Sequence, residues 1–388
     1  MLNIIKKGLK DTQEYLRSGR TLEDFKVSHG IRGKTDLDKK HLVLDYDQLS
    51  VKWTESYGWV CRGLILDAKT FDLIGMGLPK FHNFGEHYAA PIDWLSAKTF
   101  EKVDGSCVMR WFSPHTKNFE YSTRFQLPEN IKVNTVNSGV ITWEQLINKC
   151  LEGWKEILPL QPKDETWVFE ICSLHNQIVV RHQGFYAKIL AARNIHTLEE
   201  LSHEKLPGHP EMKPKSYSFN SPKEVADFAN TFEATKNEGF VVCDTGFNRI
   251  KIKSDQYVAL HRAKDGLKGI NNLISLARGN DYEEITVHFP EYKPDLDTVS
   301  ALIEEMIVRH EAAYETTKSI ESQKDFAVEI QKLGLENTSS LFLTRAKKQP
   351  SVRTAFLVLE DTPFIKLFKE RARAKLGDKY AEEIKEGV

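Results

Sequence analysis

One lysine in this chain stands where a covalent nucleophile could be held rigidly. Lys102 opens the tetrapeptide Lys102-Val103-Asp104-Gly105, directly after residues that we predict to end a strand. An Asp-Gly pair favours a tight turn, because glycine tolerates positive φ. An amine held on such a turn is suited to nucleophilic catalysis through a covalent intermediate. On the motif alone, an exposed lysine in an ordinary hairpin is the alternative interpretation.

Two glutamates in predicted strands could belong to the same site. Glu170 lies in a strand predicted over 166–171, on the face opposite to the aromatic residues of that strand. There it points either to water or into a polar cleft, because alternate residues of a strand face opposite sides. Glu238 opens a second predicted strand over 238–243.

Cations accompany these carboxylates. The strand predicted over Arg249–Lys253 places Arg249, Lys251 and Lys253 on one face, with isoleucines on the other. Like charges on one face repel, so the face is either a solvated sheet edge or a surface that binds phosphate. Arg62 lies inside an apolar run, where its charge is costly unless it is paired or faces a cleft.

The composition is that of an ordinary globular protein. Among 388 residues, 40% are apolar and 28% are charged, and the net charge of -1 gives no overall basic character. Any nucleic-acid binding must therefore come from local clusters of Lys and Arg. The five cysteines are widely spaced without a C-x-x-C pair, which predicts neither a zinc site nor a disulfide framework and favours a reducing cytoplasmic location. We identify neither a signal peptide nor a membrane span.

The elements predict an α+β chain of two domains, covering residues 1–265 and 266–388. The first domain is expected to contain strands with flanking helices, and the second to be all helical, because apolar residues there recur with helical spacing. Thr142 and Ser221 each begin a capping box at the start of a predicted helix. The predicted strands include the segments 41–46, 58–67, 119–124, 166–171, 177–180, 186–191, 238–243 and 249–253.

The order of these motifs resembles the covalent nucleotidyltransferases, which include polynucleotide ligases and capping enzymes. Lys-x-Asp-Gly is followed by an acidic strand, then by Glu238-Gly239-Phe240-Val241-Val242, then by Lys251-Ile252-Lys253. Finer features resemble the RNA ligase 1 family of the T-even phages over residues 40–265. These features are Tyr46, Cys61-Arg62-Gly63, the segment 80–86, Asn176-Gln177-Ile178-Val179 and the segment 251–257.

The resemblance implies an adenylyltransferase domain of antiparallel sheets, followed by a helical domain, and an ATP-dependent RNA ligase activity. The Lys102 amine would take AMP from ATP and pass it to an RNA 5′-phosphate, which a 3′-hydroxyl would then attack. A free lysine has a pKa of about 10.4, so the nucleophile needs activation. We expect Lys251, Lys253 and a bound Mg²⁺ or Mn²⁺ to lower the pKa of Lys102.

The resemblance also implies roles for individual residues. Lys102 would be catalytic, and Glu238 and Asp281 would hold the metal. The supporting or RNA-binding residues would be Asp104, Gly105, Arg124 and Tyr257. ATP would be bound by Tyr46, Arg62, Lys80, Lys102, Glu170, Glu238, Lys251 and Lys253.

The substrates would be RNA ends, with a cleaved tRNA suggested by the helical tail. The protein would act as a monomer in the cytoplasm, that of the host if a phage encodes it, alongside an end-healing kinase or phosphatase. A DNA ligase or a capping guanylyltransferase with the same lysine chemistry is the alternative. Both usually append an oligonucleotide-binding barrel where this chain continues into helices. A non-catalytic RNA-binding protein of the same fold is the third hypothesis.

Overall fold

The computed structural model describes residues 1–127, 141–267, 269–279 and 282–380. The chain divides into two compact units, Met1–Ala259 and Leu260–Val388. The sequence predicted the division after residue 265, which lies in the same helix as this boundary. Among the described residues, no helix is both long and apolar enough to cross a membrane.

The strands belong to the first unit and form three sheets. Sheet I has the order β1-β2-β3-β4, sheet II the order β10-β9-β7-β8, and sheet III the order β11-β6-β12-β13-β5. Neighbouring strands are antiparallel except β5 and β13, which are parallel. The strands are β1 Ile31–Thr35, β2 His41–Tyr46, β3 Arg62–Asp67, β4 Leu73–Gly75, β5 His82–Asn83, β6 Lys98–Glu101, β7 Ser106–Phe112, β8 Phe119–Ser122, β9 Glu165–Ser173, β10 Phe185–Asn194, β11 Ser216–Tyr217, β12 Gly239–Cys243 and β13 Arg249–Lys253.

Helices flank the sheets of the first unit and make up the regular structure of the second. Those up to the boundary are α1 Leu2–Arg17, α2 Leu22–His29, α3 Tyr57–Val60, α4 Trp143–Cys150, α5 Pro222–Ala229 and α6 Asp255–Leu267. Those that follow are α7 Ile270–Gly279, α8 Glu283–His288, α9 Lys293–Thr317, α10 Gln323–Lys332, α11 Ser339–Arg345, α12 Val352–Leu357 and α13 Asp361–Leu376. The predicted α+β class with a helical C-terminal region is confirmed.

Sheets I and II pack face to face. Val43 and Ile65 from sheet I share a buried apolar cluster with Met109 and Val168 from sheet II. One face of sheet III packs against α5. Val225 of the helix and Ile250 and Ile252 of β13 belong to this buried cluster. Because side chains alternate along a strand, the opposite face of β12 and β13 is left for a cleft.

Local predictions succeeded where one pattern determined the structure. Thr142 and Gln145 form the predicted capping box of α4, and the helix ends at Cys150. The strand predicted over 58–67 is wrong in its first half, because a helical turn, α3, precedes β3.

The strand predicted over 177–180 is wrong because its backbone donors have another partner. The backbone N–H groups of Val179 and Val180 donate to the Asp104 carboxylate, at 3.0 and 2.7 Å, and not to a neighbouring strand.

Candidate active site

Lys102 lies on a connection between two sheets. β6 of sheet III ends at Glu101, and β7 of sheet II begins at Ser106. The predicted tight turn is absent, because residues 102–104 have no regular structure and Gly105 forms only a bend, and the two strands are not hairpin partners. The Lys102 backbone N–H donates to the Gly239 carbonyl at 2.9 Å, which fixes the lysine against the start of β12.

Gly105 is required by lack of space and not by its φ angle. Its φ lies outside the positive region, contrary to the expectation of a left-handed turn residue. A Cβ at this position would lie 2.3 Å from the Ile171 carbonyl oxygen and 2.9 Å from the Cys172 Sγ. The Lys102 connection therefore passes directly against β9, and only glycine permits that approach.

A single carboxylate joins two of the predicted lysines. Lys102 Nζ donates to Glu238 Oε2 at 2.7 Å, and Lys253 Nζ lies 2.8 Å from Glu238 Oε1. The Glu238 side chain is 3% exposed and the lysines are about a quarter exposed, at 23% and 24%. Removing one member of a buried ion pair typically costs about 3–5 kcal/mol, because the remaining charge is left uncompensated. The cluster thus has a fixed geometry.

The expected lowering of the Lys102 pKa by Lys251 and Lys253 is wrong. Burial lowers the pKa, but the charges of Glu238 and Glu170 outweigh burial and raise it above its ordinary value. The neighbouring cations lower the pKa of Lys251 instead. Burial, together with the ammonium groups of Lys80, Lys102 and Lys253, lowers the pKa of Lys251 to about 8.

Glu170 points into the cleft, which decides between the two orientations left open by the sequence. Its Oε1 accepts the Gly105 N–H at 3.1 Å. Burial is the main cause that raises the pKa of this carboxyl to about 7, and the Lys102 ammonium opposes it.

Lys102, Glu170, Lys251 and Lys253 line one cavity of about 730 Å³, which is within the range of small-molecule sites. Nine of the predicted site residues contribute to its walls. They are Tyr46, Arg62, Lys80, Lys102, Gly105, Arg124, Glu170, Lys251 and Lys253. Every one of them belongs to the first unit.

Aromatic rings shape the part of the cavity near Lys80. The Lys80 ammonium lies 5.2 Å from the ring centres of both Tyr46 and Trp53, within the range of a cation–π interaction. Arg62 donates to the Leu78 carbonyl at 3.4 Å. These residues provide positive charge beside flat apolar surfaces, which suits a nucleotide.

Arg124, predicted to meet an RNA phosphate, is engaged within the protein. Its Nε donates to Asp45 Oδ1 at 2.7 Å, and its guanidinium lies 4.2 Å from the Tyr46 ring centre. Asp45 is fully buried and also pairs with Arg32 at 3.2 Å. Arg124 still lines the cavity, so a contact with RNA stays a prediction.

Asp104 and Tyr257 occupy supporting positions. The Tyr257 hydroxyl donates to Asp104 Oδ1 at 2.7 Å, and both side chains are buried. The other Asp104 oxygen accepts the N–H groups of Val179 and Val180. Asp104 therefore ties the Lys102 connection both to α6 and to the segment after β9.

The face of β13 is not a solvated edge, because β13 lies between β12 and β5. Lys251, Lys253 and Arg249 all line the cavity, and Arg249 is also held in a buried ion-pair cluster. Arg249 and Arg193 both pair with Glu200, the latter at 2.6 Å. The sequence analysis missed Glu200, because nothing in its local pattern separates it from an ordinary loop glutamate.

Of the predicted parts of the site, the metal site has the least support from the described residues. Asp281 lies outside the described residues. Within the described ranges no group of three or more His, Cys, Asp or Glu side chains could hold a metal ion. Glu238 lies beside the cleft, with both oxygens engaged by lysines.

Comparisons with known proteins give a consistent family. A family model described as RNA ligase matches residues 60–257. A protein of Autographa californica nuclear polyhedrosis virus, described as a bifunctional polynucleotide kinase/RNA ligase, is 28% identical over 291 residues. That match covers 70% of this chain and 40% of the viral protein, so the chain spans about two fifths of this relative's length.

Solved structures similar to this chain include two RNA ligases. An archaeal ATP-dependent RNA ligase is 15% identical, with a TM-score of 0.42, and the match covers 88% of this chain and 81% of that one. A Naegleria gruberi RNA ligase with PPi is 14% identical, with a TM-score of 0.33, and the match covers 43% of this chain and 52% of that one.

Proposed function

Because this chain belongs to the RNA ligase family, we propose that it is an ATP-dependent enzyme that joins RNA 5′-phosphate and 3′-hydroxyl ends through a lysyl-AMP intermediate. The observation that carries the proposal is the Lys102–Glu238–Lys253 cluster, set in a cavity with Lys80, Lys251 and other cations. Phosphoryl transfer needs a positioned nucleophile and positive charge around the phosphate oxygens, and this cavity offers both.

In the first step, Lys102 Nζ attacks the α-phosphorus of ATP. A phosphorus–nitrogen bond forms, the bond from phosphorus to the pyrophosphate oxygen breaks, and the Lys102 ammonium, which carries three protons, becomes a phosphoramidate nitrogen with one. Two protons therefore leave Nζ. Glu238 already accepts a hydrogen bond from this ammonium, so we assign its carboxylate to accept one of them, while the other passes to the pyrophosphate or to water. We assign Lys251 and Lys253, which line the cavity, to the phosphates of ATP, and Arg62 and Lys80, which also line it, to the rest of the nucleotide.

In the second step, an oxygen of the RNA 5′-phosphate attacks the same phosphorus, and the phosphorus–nitrogen bond breaks. The Lys102 nitrogen regains its two protons and returns to the ammonium, and AMP is now linked to the RNA through a pyrophosphate bond. In the third step, a 3′-hydroxyl attacks the RNA phosphate, loses its proton, and releases AMP. Lys102 therefore loses two protons and regains two in each cycle.

We assign the divalent cation to a site completed by the substrate, because within the described ranges no group of three or more His, Cys, Asp or Glu side chains could hold a metal ion. Mg²⁺ takes one or two carboxylates together with water and substrate phosphate oxygens, and we assign Glu238 as a carboxylate ligand. Bound in this way, the ion supplies positive charge to the phosphate groups. Mn²⁺ would serve in the same manner.

The decisive experiment is covalent labelling of the protein with ATP that carries the label in its α-phosphate. The wild-type chain should retain label after denaturation, and Lys102→Ala should abolish it. Lys236→Ala is the control, since Lys236 is exposed, pairs only with Glu233 among the described residues, and does not line the cavity. An equal signal in Lys102→Ala and wild type would refute the assignment.

Two competition experiments separate the alternatives with the same chemistry. A capping guanylyltransferase would be labelled by GTP in preference to ATP. A DNA ligase would seal nicked DNA better than it joins RNA ends. Preference for ATP and for RNA is expected here.

The natural RNA and the source of its ends belong to the same proposal. Cleaved tRNA is the substrate that we favour. We propose that the ends are prepared by a kinase or phosphatase, as the description of the viral relative as both kinase and RNA ligase suggests. Joining of RNA ends that bear 5′-hydroxyl groups should then require an added polynucleotide kinase.

A further inference from the structure

A second cavity of about 540 Å³ adjoins the cavity that holds Lys102. Its walls include Lys213, Lys215 and Tyr217, and the two cavities share His203, Glu204 and Pro214. Together they exceed the space that one nucleotide needs. The second cavity therefore offers room for a part of the substrate that lies beyond the reacting nucleotide.

This second cavity is anchored beside the nucleophile. The backbone N–H of Glu101, the residue before Lys102, donates to the Lys215 carbonyl at 2.8 Å. Ser216 then pairs with Phe100 as β11 joins β6. Neighbouring strands lie about 4.8 Å apart, so the Lys215 backbone is one strand spacing from the catalytic connection.

Lys213 is a buried cation on the cavity wall without a carboxylate partner among the residues the structure describes. It is 9% exposed, and its Nζ reaches only the carbonyl oxygens of His203 and Glu204, at 3.4 and 3.5 Å. Both distances are at the long limit of a hydrogen bond. A buried charge of this kind is costly, and an anionic ligand in the cavity would reduce that cost.

The other charged residues on the wall of the second cavity do not neutralise Lys213. Glu204 is the carboxylate on its wall, and it pairs with Lys98. Lys215 is exposed and adds a second cation. Lys188 donates to the carbonyls of Glu211 and Lys213, at 2.8 and 3.3 Å, and so holds the backbone of this wall in position.

Aromatic rings accompany the cations. His203 stacks on Phe100, with ring centres 4.5 Å apart and planes inclined by 30°. Tyr217 lines the second cavity from β11. Grooves that combine lysines with aromatic rings bind single-stranded nucleic acids, because the cations follow the phosphates and the rings contact bases or sugars.

We propose that the second cavity binds the backbone of single-stranded RNA nucleotides adjacent to the reacting end, with Lys213 and Lys215 contacting phosphates. This inference rests on the proposed function, because it assigns the path of the RNA that the ligase joins. It adds to that function a binding site outside the nucleotide cleft.

The test compares two exposed lysines of the same segment. Lys215→Ala and Lys215→Glu alter the cavity, whereas Lys205→Ala and Lys205→Glu make the same changes at a residue that lines neither cavity. Binding of a 5′-phosphorylated RNA of about ten nucleotides is measured against salt concentration. Lys215→Ala should weaken binding about tenfold. It should also reduce the salt slope by about 0.7, the value expected for one lost phosphate contact with a single strand.

The companion measurement is lysyl-adenylate formation from ATP without RNA. The loss in RNA binding and joining by Lys215→Glu should exceed any loss in this step, and the Lys205 variants should match wild type in all assays. Equal RNA binding by the Lys215 and Lys205 variants would overturn the inference. So would a loss of lysyl-adenylate as large as the loss of RNA binding, since the cavity would then serve the nucleotide.

The two proposals fail in distinguishable ways. A wild-type chain that takes no label from ATP, but binds RNA in a manner dependent on Lys215, would refute the proposed function and support the RNA site. If the wild-type chain is labelled by ATP, and the Lys215 and Lys205 variants join RNA equally well, the proposed function is supported and the RNA site is refuted.

Discussion

At the scale of single residues, the site is a set of lysines held in unequal environments. Lys102 and Lys253 share the carboxylate of Glu238, whereas Lys251 is half-buried among other cations. The Glu86 carboxylate acts against this lowering of the Lys251 pKa, but less strongly than burial acts for it. Lys251 is therefore expected to destabilise the fold, and a destabilising cation in the cleft points to a functional role.

Lys251→Met should increase the free energy of unfolding and abolish formation of the lysyl-adenylate. The pKa of Lys251 is about 8 in the folded chain and about 10.4 when unfolded, so the folded state disfavours the charged form. The cost is fully present below pH 8 and disappears as pH rises towards the unfolded value. We expect a gain of about 1–3 kcal/mol at pH 7, measured by denaturant unfolding, with little gain above pH 10.

Lys253→Met is the matched comparison for this prediction. Removal of Lys253 leaves one oxygen of the buried Glu238 carboxylate without its cation, so this variant should lose stability. If both variants shift stability in the same direction, burial among cations is not what distinguishes Lys251.

Tyr257→Phe tests whether Tyr257 supports the Lys102 connection. The change removes the hydroxyl that donates to Asp104 Oδ1 and leaves a buried carboxylate oxygen short of a donor. We expect a loss of about 1–3 kcal/mol in the free energy of unfolding. Labelling by ATP should slow, while the affinity of the remaining folded enzyme for RNA stays unchanged. Weaker RNA binding without slower labelling would instead favour an RNA-contacting role.

At the scale of elements, the nucleophile is positioned by a short connection that must fit against β9. Gly105 makes this fit possible, since the Ile171 carbonyl leaves no space for a side chain. Gly105→Ala should displace the connection, reduce labelling by ATP at least tenfold and lower the melting temperature. Gly153→Ala is the control, because nothing lies within 4 Å of a Cβ there. Normal labelling by Gly105→Ala would show that the connection can move without consequence.

The elements that the sequence predicted well are those whose pattern is local. The alternation of isoleucines and cations in β13 gave both its extent and its faces, and the capping box at Thr142 gave the start of α4. Long-range partners could not be predicted in this way. Asp104 and Tyr257 are 153 residues apart, and the pairing of Glu200 with Arg249 spans 49 residues.

The same limit explains two of the errors about the site. The pKa of Lys102 depends on which charges surround it, and the chain order revealed its cations but not the closeness of Glu238 and Glu170. The segment 177–180 has apolar residues typical of a strand. Its backbone donors are taken by the Asp104 carboxylate, whose position only the tertiary structure reveals.

At the scale of the whole molecule, every described residue of the nucleotide cavity and of the adjoining cavity lies in the first unit. The helical unit contributes none of their lining residues within the described ranges. Several of its arginines are engaged with carboxylates of the same unit, such as Arg353 with Glu304 at 2.6 Å and Arg373 with Glu370 at 3.1 Å. The chemistry and the choice of RNA could therefore reside in different parts of the chain.

Deletion of residues 270–388 should separate these two properties. The shortened chain keeps Lys102, Glu238, Lys253 and the Asp104–Tyr257 hydrogen bond, so it should still be labelled by ATP. Joining of cleaved tRNA halves should fall by about tenfold or more relative to joining of short unstructured RNA, if the helical unit recognises structured RNA. Circular dichroism and thermal unfolding would establish that the first unit remains folded. An equal loss of labelling and of tRNA joining in a folded protein would show that the helices serve the chemistry itself, because RNA recognition alone cannot affect a step that precedes RNA binding.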